Sequence, residues 1–233
     1  MVLVLGITPI VSEAGLDDKS LVLYLSFDEG KGDAAKDSSQ YKQNGQLIKD
    51  PLWVDGKVEK ALQFDGTKGQ HVMVPITDTL QLLTAFSAAF WVKRDKAQIS
   101  DWNYMVGAGT LKWAIIFNKN ENVYLWSMSG GTWAQRDMST EPLTTDWTHL
   151  VATYDTKSDV KLYFNCKLAG KGAKPPQVDG IDGSIMVGAR HPGQEFFTGT
   201  IDEVYLFNRI LSEAEMKEIM EDKFRPVEPA GKL

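Results

Sequence analysis

Acidic and imidazole side chains are the first candidates for chemistry in this chain. Glycosidases that use paired carboxylates hold them about 5 Å apart across the scissile bond or farther, on one surface. The nearest approach to such a pair is Asp202-Glu203, and adjacent residues of a regular strand point to opposite faces. His71, His149 and His191 do not lie beside a GxSxG nucleophile sequence. These patterns predict a non-catalytic protein, with hydrolysis of glycans as the less favoured alternative.

Aromatic side chains offer a different chemistry, because exposed rings bury the C–H faces of sugars while nearby polar groups bind the hydroxyls. The segment between residues 101 and 137 is dense in such groups. The candidate ligand-binding residues in it are Trp102, Trp126, Trp133 and Arg136. The alternative is that most of these rings are buried, since a domain of this size needs many aromatic residues in its core.

Strand alternation divides this aromatic segment without deciding which side is exposed. Val123 and Leu125 share one face of their strand, and Tyr124, Trp126 and Met128 share the other. One of the two faces must belong to the core.

A second candidate binding region is the polar loop 189–195, which contains Arg190 and His191. It follows a predicted strand, and binding residues are often carried on loops at strand ends.

Composition limits the partners. The formal net charge is −6 and the pI about 5.2, with acids and bases interspersed, so no positive field attracts nucleic acid or anionic lipid. A single cysteine and three histidines do not supply a common zinc framework, so a metal would need oxygen ligands. With 233 residues, one full-size domain is the expectation.

The two ends of the chain differ in character from the middle. Residues 1–20 start with an apolar run and continue with Ser12-Glu13-Ala14, which predicts a signal-peptide remnant, with a terminal strand as the alternative. The run is too short to span a membrane, and no later segment reaches that length. Residues 224–233 contain two prolines and little to bury, which predicts a tail or linker.

The middle of the chain consists of short segments of period-two hydrophobicity separated by Gly, Asn, Asp and Pro. Many strands without intervening helices predict an all-β fold in which two antiparallel sheets are stacked. The one clear helix is predicted in residues 211–223, where Ser212 and Glu215 can form a capping box.

Several segments together resemble the laminin-G-like domains of the concanavalin A-like lectin/glucanase superfamily. They occur in order and cover nearly the whole chain after residue 20: LYLSFDEG (23–30) with DSS (37–39) and NG (44–45), GKVEKALQFDG (56–66), FSAAFWVK (86–93), WTHLVATYD (147–155) with KLYFN (161–165), and FTGTIDEV (197–204). The resemblance implies a jelly-roll sandwich over residues 21–223. It also implies a secreted or cell-surface module that binds a glycan or surface polysaccharide, or that acts in adhesion. Recognition of another protein, or a spacer role, is the alternative.

The sequence departs from this resemblance at one turn. Related domains usually have Asn-Gly after the YxN strand, and this chain has Asn165-Cys166. A type I′ turn needs positive φ at both residues, so cysteine is strained there unless the loop changes type. We expect Cys166 to be unpaired and accessible.

The resemblance also implies that the first and last strands are antiparallel neighbours. It further implies a structural calcium ion between them, with Asp28, Asn44 and Asp202 as ligands. Regular alternation places Asp202 on the same face as Val204 and Leu206, where an isolated charge is costly. Calcium binds carboxylate, amide and backbone oxygens. The alternative is that Asp28 and Asp202 accept backbone N–H hydrogen bonds or cap a turn.

Overall fold

The computed structural model describes residues 18–224 except 97, 99 and 191, and it leaves the side chains of residues 134–137 undescribed. The predicted signal-peptide remnant lies almost wholly outside the described residues, as does the tail beyond residue 224. Two antiparallel sheets of eight strands each make up the described structure, with one helix near its C-terminal end. The predicted all-β jelly-roll sandwich is confirmed.

The first sheet, called sheet A, contains the first and the last strand of the domain. Its strands are β1 (Leu21–Leu25), β4 (Leu52–Asp55), β5 (Lys60–Phe64), β7 (Ala85–Arg94), β12 (Thr148–Asp155), β13 (Lys161–Phe164), β14 (Lys167–Lys171) and β16 (Gly199–Phe207). They follow the order β14-β13-β12-β7-β16-β5-β4, and β1 also pairs with β16. The expectation that the terminal strands are antiparallel neighbours is confirmed.

The second sheet, called sheet B, contains the aromatic segment. Its strands are β2 (Ala34–Ala35), β3 (Gly45–Ile48), β6 (His71–Pro75), β8 (Trp102–Ala108), β9 (Trp113–Asn118), β10 (Asn122–Ser129), β11 (Thr132–Pro142) and β15 (Ser184–Val187). They follow the order β11-β10-β9-β8-β15-β6-β3-β2. Single 3₁₀ turns occur at Gly66–Lys68 and Asp78–Leu80.

The core between the sheets settles the orientation that strand alternation left open. Val123 and Leu125 of β10 are fully buried in the main core. Tyr124 and Trp126 of the same strand belong to a separate cluster. Because successive residues of a strand alternate, burial of Val123 and Leu125 turns Tyr124 and Trp126 to the outer face of sheet B.

A β-bulge in β16 changes the predicted placement of the acidic pair. Glu203 has φ of +54°, and the pairing of β16 with β7 shifts between Asp202 and Tyr205. Asp202 therefore pairs with Trp91. Because Phe90 and Val92 on either side of Trp91 face the core, Trp91 and Asp202 face the outer side of sheet A.

The Glu203 carboxylate also lies on the outer side of sheet A. Its Oε2 accepts hydrogen bonds from the hydroxyls of Tyr24 (2.9 Å) and Tyr205 (2.8 Å), whose rings are stacked outside the main core. The prediction of opposite faces for Asp202 and Glu203 was wrong, and so was the shared face of Asp202 with Val204, because a bulge adds one residue to the alternation.

The helix α1 (Glu213–Met220) packs on the outer face of sheet A. Ser212 caps it, and Glu215 completes the predicted capping box. Met216 and Ile219 are buried in a cluster with Tyr205 and Phe207. The helix thereby covers apolar side chains that the sheet turns away from the main core.

The Asn165-Cys166 turn keeps positive φ at both residues, 49° and 62°. The cysteine is free and only half-buried. Its Sγ lies 3.6 Å from Sδ of Met220 on α1, and burial raises the pKa of the thiol. The thiol therefore packs against the helix instead of projecting freely into solvent.

His149 of β12 is fully buried next to Trp91 on the outer side of sheet A. The two ring centroids are 5.1 Å apart, and the ammonium of Lys57 lies 4.7 Å above the Trp91 ring. Trp91 is buried, but outside the main core. Neither ring nitrogen of His149 has a hydrogen-bond partner among the described atoms. Burial lowers the pKa of His149 to about 4.

This histidine makes stability depend on pH. The folded protein keeps His149 neutral below pH 6.5, where the unfolded chain takes up a proton. The free energy of unfolding therefore has its full value above pH 6.5. It falls by roughly 3 kcal/mol as the pH drops to about 4. We expect His149→Phe to remove this part of the acid sensitivity in urea unfolding measured across that range. Parallel losses in wild type and variant would contradict the assignment.

Candidate functional site

The outer face of sheet B carries a cluster of aromatic and aliphatic side chains, here called the aromatic face. Its members come from β8, β9 and β10, from the turn after β8, and from the start of β11. They are Trp102, Tyr104, Leu111, Ala114, Ile116, Tyr124, Trp126 and Trp133. Tyr104, Ile116 and Tyr124 are buried, while the three tryptophans are only half-buried. The face therefore has a packed floor and partly accessible indole rings.

The three tryptophans are in contact through Trp126. The centroid of Trp126 is 4.9 Å from that of Trp102 and 5.2 Å from that of Trp133, with interplanar angles of 57° and 67°. Trp102 also meets Tyr124 edge to face at 5.6 Å. Tilted and edge-to-face contacts of this kind stabilise aromatic clusters and hold the rings in fixed orientations.

Small residues lie beside Trp126 in the same cross-strand row. Trp126 pairs with Ala114, and Ala114 pairs with Gly107 of β8. A Cβ atom at residue 107 would come within 3.2 Å of the Ala114 Cβ. Gly107 and Ala114 are both buried, so larger side chains cover this row of the sheet.

The loop after β15 borders this region. Its residue Arg190 lines a small depression with Tyr104, Gly107 and Leu111. The Arg190 Nε lies 2.9 Å from Glu195 Oε2, and the backbone N–H of Arg190 donates to the Gln194 carbonyl at 2.8 Å. The guanidinium is thus held next to the aromatic face by its own loop.

The predicted ligand-binding residues divide into two groups. Trp102, Trp126 and Trp133 come together on the aromatic face, and Arg190 lies at its border. The Arg136 side chain and His191 lie outside the described part of the chain. Sequence reasoning missed Ala114 and Ile116, whose place in this cluster follows only from the register between β8, β9 and β10.

The predicted metal ligands engage backbone N–H groups. Asp28 Oδ1 accepts from Lys60 N at 3.1 Å, and Asp202 Oδ2 accepts from Lys57 N and Val58 N at 2.9 and 3.0 Å. Asp202 Oδ1 is buried without a partner among the described atoms. Burial, together with the charges of Glu203 and Asp28, raises the pKa of Asp202 to about 8 against the lowering effect of the two N–H groups.

Asn44, the third predicted ligand, makes a hydrogen bond within a neighbouring loop. Its Oδ1 accepts a hydrogen bond from Asp37 N at 2.9 Å. The buried Asp37 carboxylate accepts from the backbone N–H groups of Tyr24, Ser39 and Gln43 and from the Ser39 hydroxyl. Within the described residues, no group of three or more His, Cys, Asp and Glu side chains is arranged to hold a metal. Among the described residues, Asp202 Oδ1 is a buried oxygen of a predicted ligand without a partner, and the calcium site stays a prediction.

Comparison with known families matches residues 65–217 to Laminin_G_3, described as concanavalin A-like lectin/glucanases superfamily. The match covers most of sheet A and sheet B, including the whole aromatic face. The search of curated proteins finds no match. In the described part of the chain, no helix has the length and apolar character needed to cross a membrane.

Solved structures with the same fold include binding domains. Domain 4 of AbnA, a GH43 extracellular arabinanase from Geobacillus stearothermophilus solved in complex with arabinotriose, has a TM-score of 0.69 and 24% identity, covering 86% of this chain and 98% of that one. The binding domain of Paraclostridial Mosquitocidal Protein 1 has a TM-score of 0.71 and 17% identity, covering 89% and 53%.

A third similar structure is the botulinum neurotoxin serotype D ligand binding domain in complex with N-acetylneuraminic acid. It has a TM-score of 0.67 and 16% identity, covering 88% of this chain and 51% of that one. This chain thus spans about half the length of the two toxin chains. At these identities the comparisons show a shared fold.

Proposed function

We propose that this chain, which belongs to the Laminin_G_3 family of the concanavalin A-like lectin/glucanases superfamily, is a non-catalytic module that binds a glycan through the aromatic face. The observation that carries the proposal is the cluster of Trp102, Trp126 and Trp133, half-buried and in mutual contact on one surface. The family and the fold of the similar binding domains support it.

The aromatic face suits a sugar polymer for physical reasons. Indole rings present flat apolar surfaces to the C–H groups of a pyranose or furanose ring. Trp102, Trp126 and Trp133 are the half-buried rings of the cluster, so they are the rings that a ligand can reach. Arg190 supplies a charged group at the border for hydroxyl or acidic substituents. A few polar groups around an apolar surface is the usual composition of a small-molecule site.

The carboxylates support a binding role over a hydrolytic one. Asp202 is turned to the backbone N–H groups of Lys57 and Val58, and Glu203 is bonded to two tyrosine hydroxyls. Both residues lie on sheet A, whereas the aromatic face lies on sheet B. A glycan on the aromatic face is therefore separated from this acidic pair by the thickness of the sandwich.

Exposed apolar side chains do not favour a protein interface over a glycan. The large exposed ones among the described residues are Leu52, Met138 and Leu168. Leu52 and Leu168 lie on β4 and β14, at opposite ends of sheet A. Met138 lies on β11 of sheet B, which contacts β14 through the hydrogen bond from Thr140 to the Ala169 carbonyl. Interaction patches on soluble proteins are contiguous, and Leu52 is separated from the other two residues.

Secretion or display at the cell surface is part of the proposal. The apolar start of the sequence supports export. One structurally similar domain belongs to an extracellular arabinanase, and another to the binding domain of a mosquitocidal protein.

Substitution of Trp126 tests the proposed function. In a glycan-array screen followed by calorimetry, with arabinotriose and N-acetylneuraminic acid among the probes, we expect wild type to bind at least one glycan. Trp126→Ala should weaken that binding about tenfold or more, since loss of a stacked ring costs ~1.5 kcal/mol. The matched control is Trp53→Ala, which removes a half-buried indole from β4 of sheet A.

Two results would contradict this prediction. One is the absence of any glycan signal at high protein concentration. The other is an equal loss of affinity in the Trp126 and Trp53 variants, which would indicate a general effect on folding.

We also propose that Asp202 and Asp28 hold a calcium ion. The support is the unpartnered, buried Asp202 Oδ1 and the nearby charge of Asp28. Asn44 could join as a ligand only by giving up its hydrogen bond to Asp37 N. When bound, the ion would neutralise carboxylate charge between the first and last strands.

Thermal melting with calcium and with chelator tests the ion. Calcium at about a hundred times its Kd stabilises the folded state by ~2.7 kcal/mol, which raises Tm by several degrees. We expect this gain in wild type and in Asp159→Asn, which alters an ion pair with Lys171 on the surface. Asp202→Asn should lose it. Identical melting of wild type in both solutions, with no metal in elemental analysis, would remove the calcium proposal.

A further inference from the structure

A polar pocket of about 270 Å³ opens at one end of the sandwich, between the end of β7 and the β9–β10 turn. Its wall is rich in amide, hydroxyl and charged groups. Among the lining residues are Arg94, Lys96, Ser100, Asn103, Asn118 and Lys119. At about 30 Å³ for each displaced water, the volume corresponds to roughly nine waters, the scale of one monosaccharide unit.

Asn103 gives the pocket an unmet hydrogen-bonding requirement. Its side chain is fully buried, and its Nδ2 donates to the Ser100 carbonyl at 3.1 Å. That bond fixes the amide orientation, because only the NH₂ end can donate to a carbonyl. Its Oδ1 has no partner among the described atoms. A buried carbonyl without a donor costs free energy, so a ligand that brings a donor recovers it.

The charged groups of the pocket are largely paired with one another. The Arg94 guanidinium donates to the Leu143 and Asp95 carbonyls and contacts Glu121 Oε1. Lys119 Nζ lies 3.7 Å from Asp101 Oδ2. Such pairing leaves little net charge to attract a strongly ionic ligand. Ammonium groups of Lys96 and Lys119 and the Ser100 hydroxyl can still donate to ligand oxygens.

We propose that this pocket binds a single uncharged sugar unit, which donates a hydroxyl hydrogen to Asn103 Oδ1. A sugar hydroxyl can both donate and accept, which suits a wall that contains the Asn103 acceptor and the lysine donors. Inorganic phosphate carries a net negative charge, which the largely paired charged groups of the pocket do little to attract. The inference rests on the proposed function, and it assigns the glycan a second contact beyond the aromatic face.

Asn118 links the pocket to the aromatic face. It lines the pocket, and its Nδ2 donates to the Tyr124 hydroxyl of the aromatic face at 3.0 Å. Asn103 lies between Trp102 and Tyr104 in β8, so strand alternation turns its side chain to the inner side of sheet B. A glycan whose end unit occupies the pocket would pass Asn118, which pairs with Trp102, to reach the outer face.

The test is an NMR titration that follows side-chain amide and indole N–H resonances of the intact protein. The probes are glucose, galactose, arabinose, fructose and N-acetylglucosamine, with inorganic phosphate as the ionic comparison. We expect at least one sugar to shift the side-chain amides of Asn103 and Asn118 saturably, and phosphate to leave them unchanged.

Two variants make the assignment specific. Asn103→Leu removes the amide at similar volume and should weaken sugar binding at least tenfold. Asn122→Leu is the matched control, because Asn122 also donates its amide to a backbone carbonyl, that of Ser139, without lining the pocket. If Asn103→Leu fails to fold, Ser100→Phe fills the pocket while keeping the carbonyl that Asn103 bonds.

The outcomes separate this inference from the proposed function. Saturable shifts confined to the indole signals would overturn the pocket and leave the aromatic face as the binding site. Shifts at the pocket amides alone would support the pocket, since a monosaccharide held there need not reach the indoles, and the glycan array would still decide on the aromatic face. Shifts with phosphate in place of sugar, or unchanged sugar affinity in Asn103→Leu, would also overturn the inference.

Discussion

Burial of one side of β10 is the constraint on which the binding surface depends. Val123 and Leu125 fill the space between the sheets, and the main core cannot close without them. Period-two alternation then leaves Tyr124 and Trp126 no position except the outer face of sheet B. The neighbouring strands follow the same rule through their register, so Ile116 and Tyr104 join Tyr124 in one row. The aromatic face is thus a by-product of packing the core.

The outer face of sheet A is used differently. Helix α1 and the stacked rings of Tyr24 and Tyr205 cover it, and the bulge at Glu203 brings two carboxylates to the same side. Buried carboxylates are costly unless they accept hydrogen bonds, and here backbone N–H groups and tyrosine hydroxyls donate most of them. The outer rings of sheet A are therefore covered by helix α1, whereas sheet B leaves three indoles partly accessible.

Much of this architecture could be predicted from the sequence. The strand pattern, the capping box at Ser212 and the pairing of first and last strands follow from local periodicity, cap chemistry and the family resemblance. The placement of Asp202 and Glu203 could not, because a single bulge residue reverses the alternation and the sequence carries no strong mark of it. Asn103 was equally hidden, since its missing partner is a property of tertiary packing. The grouping of Trp102, Trp126 and Trp133 needed the register of four strands.

The account's central claim is that glycan binds where these three indoles meet. The chain has seven tryptophans, so seven indole N–H signals can be followed while a glycan identified on the array is added. The account predicts saturable shifts for Trp102, Trp126 and Trp133 and unchanged positions for Trp53, Trp91, Trp113 and Trp147. Saturable binding that moves the second group while leaving the first in place would contradict it.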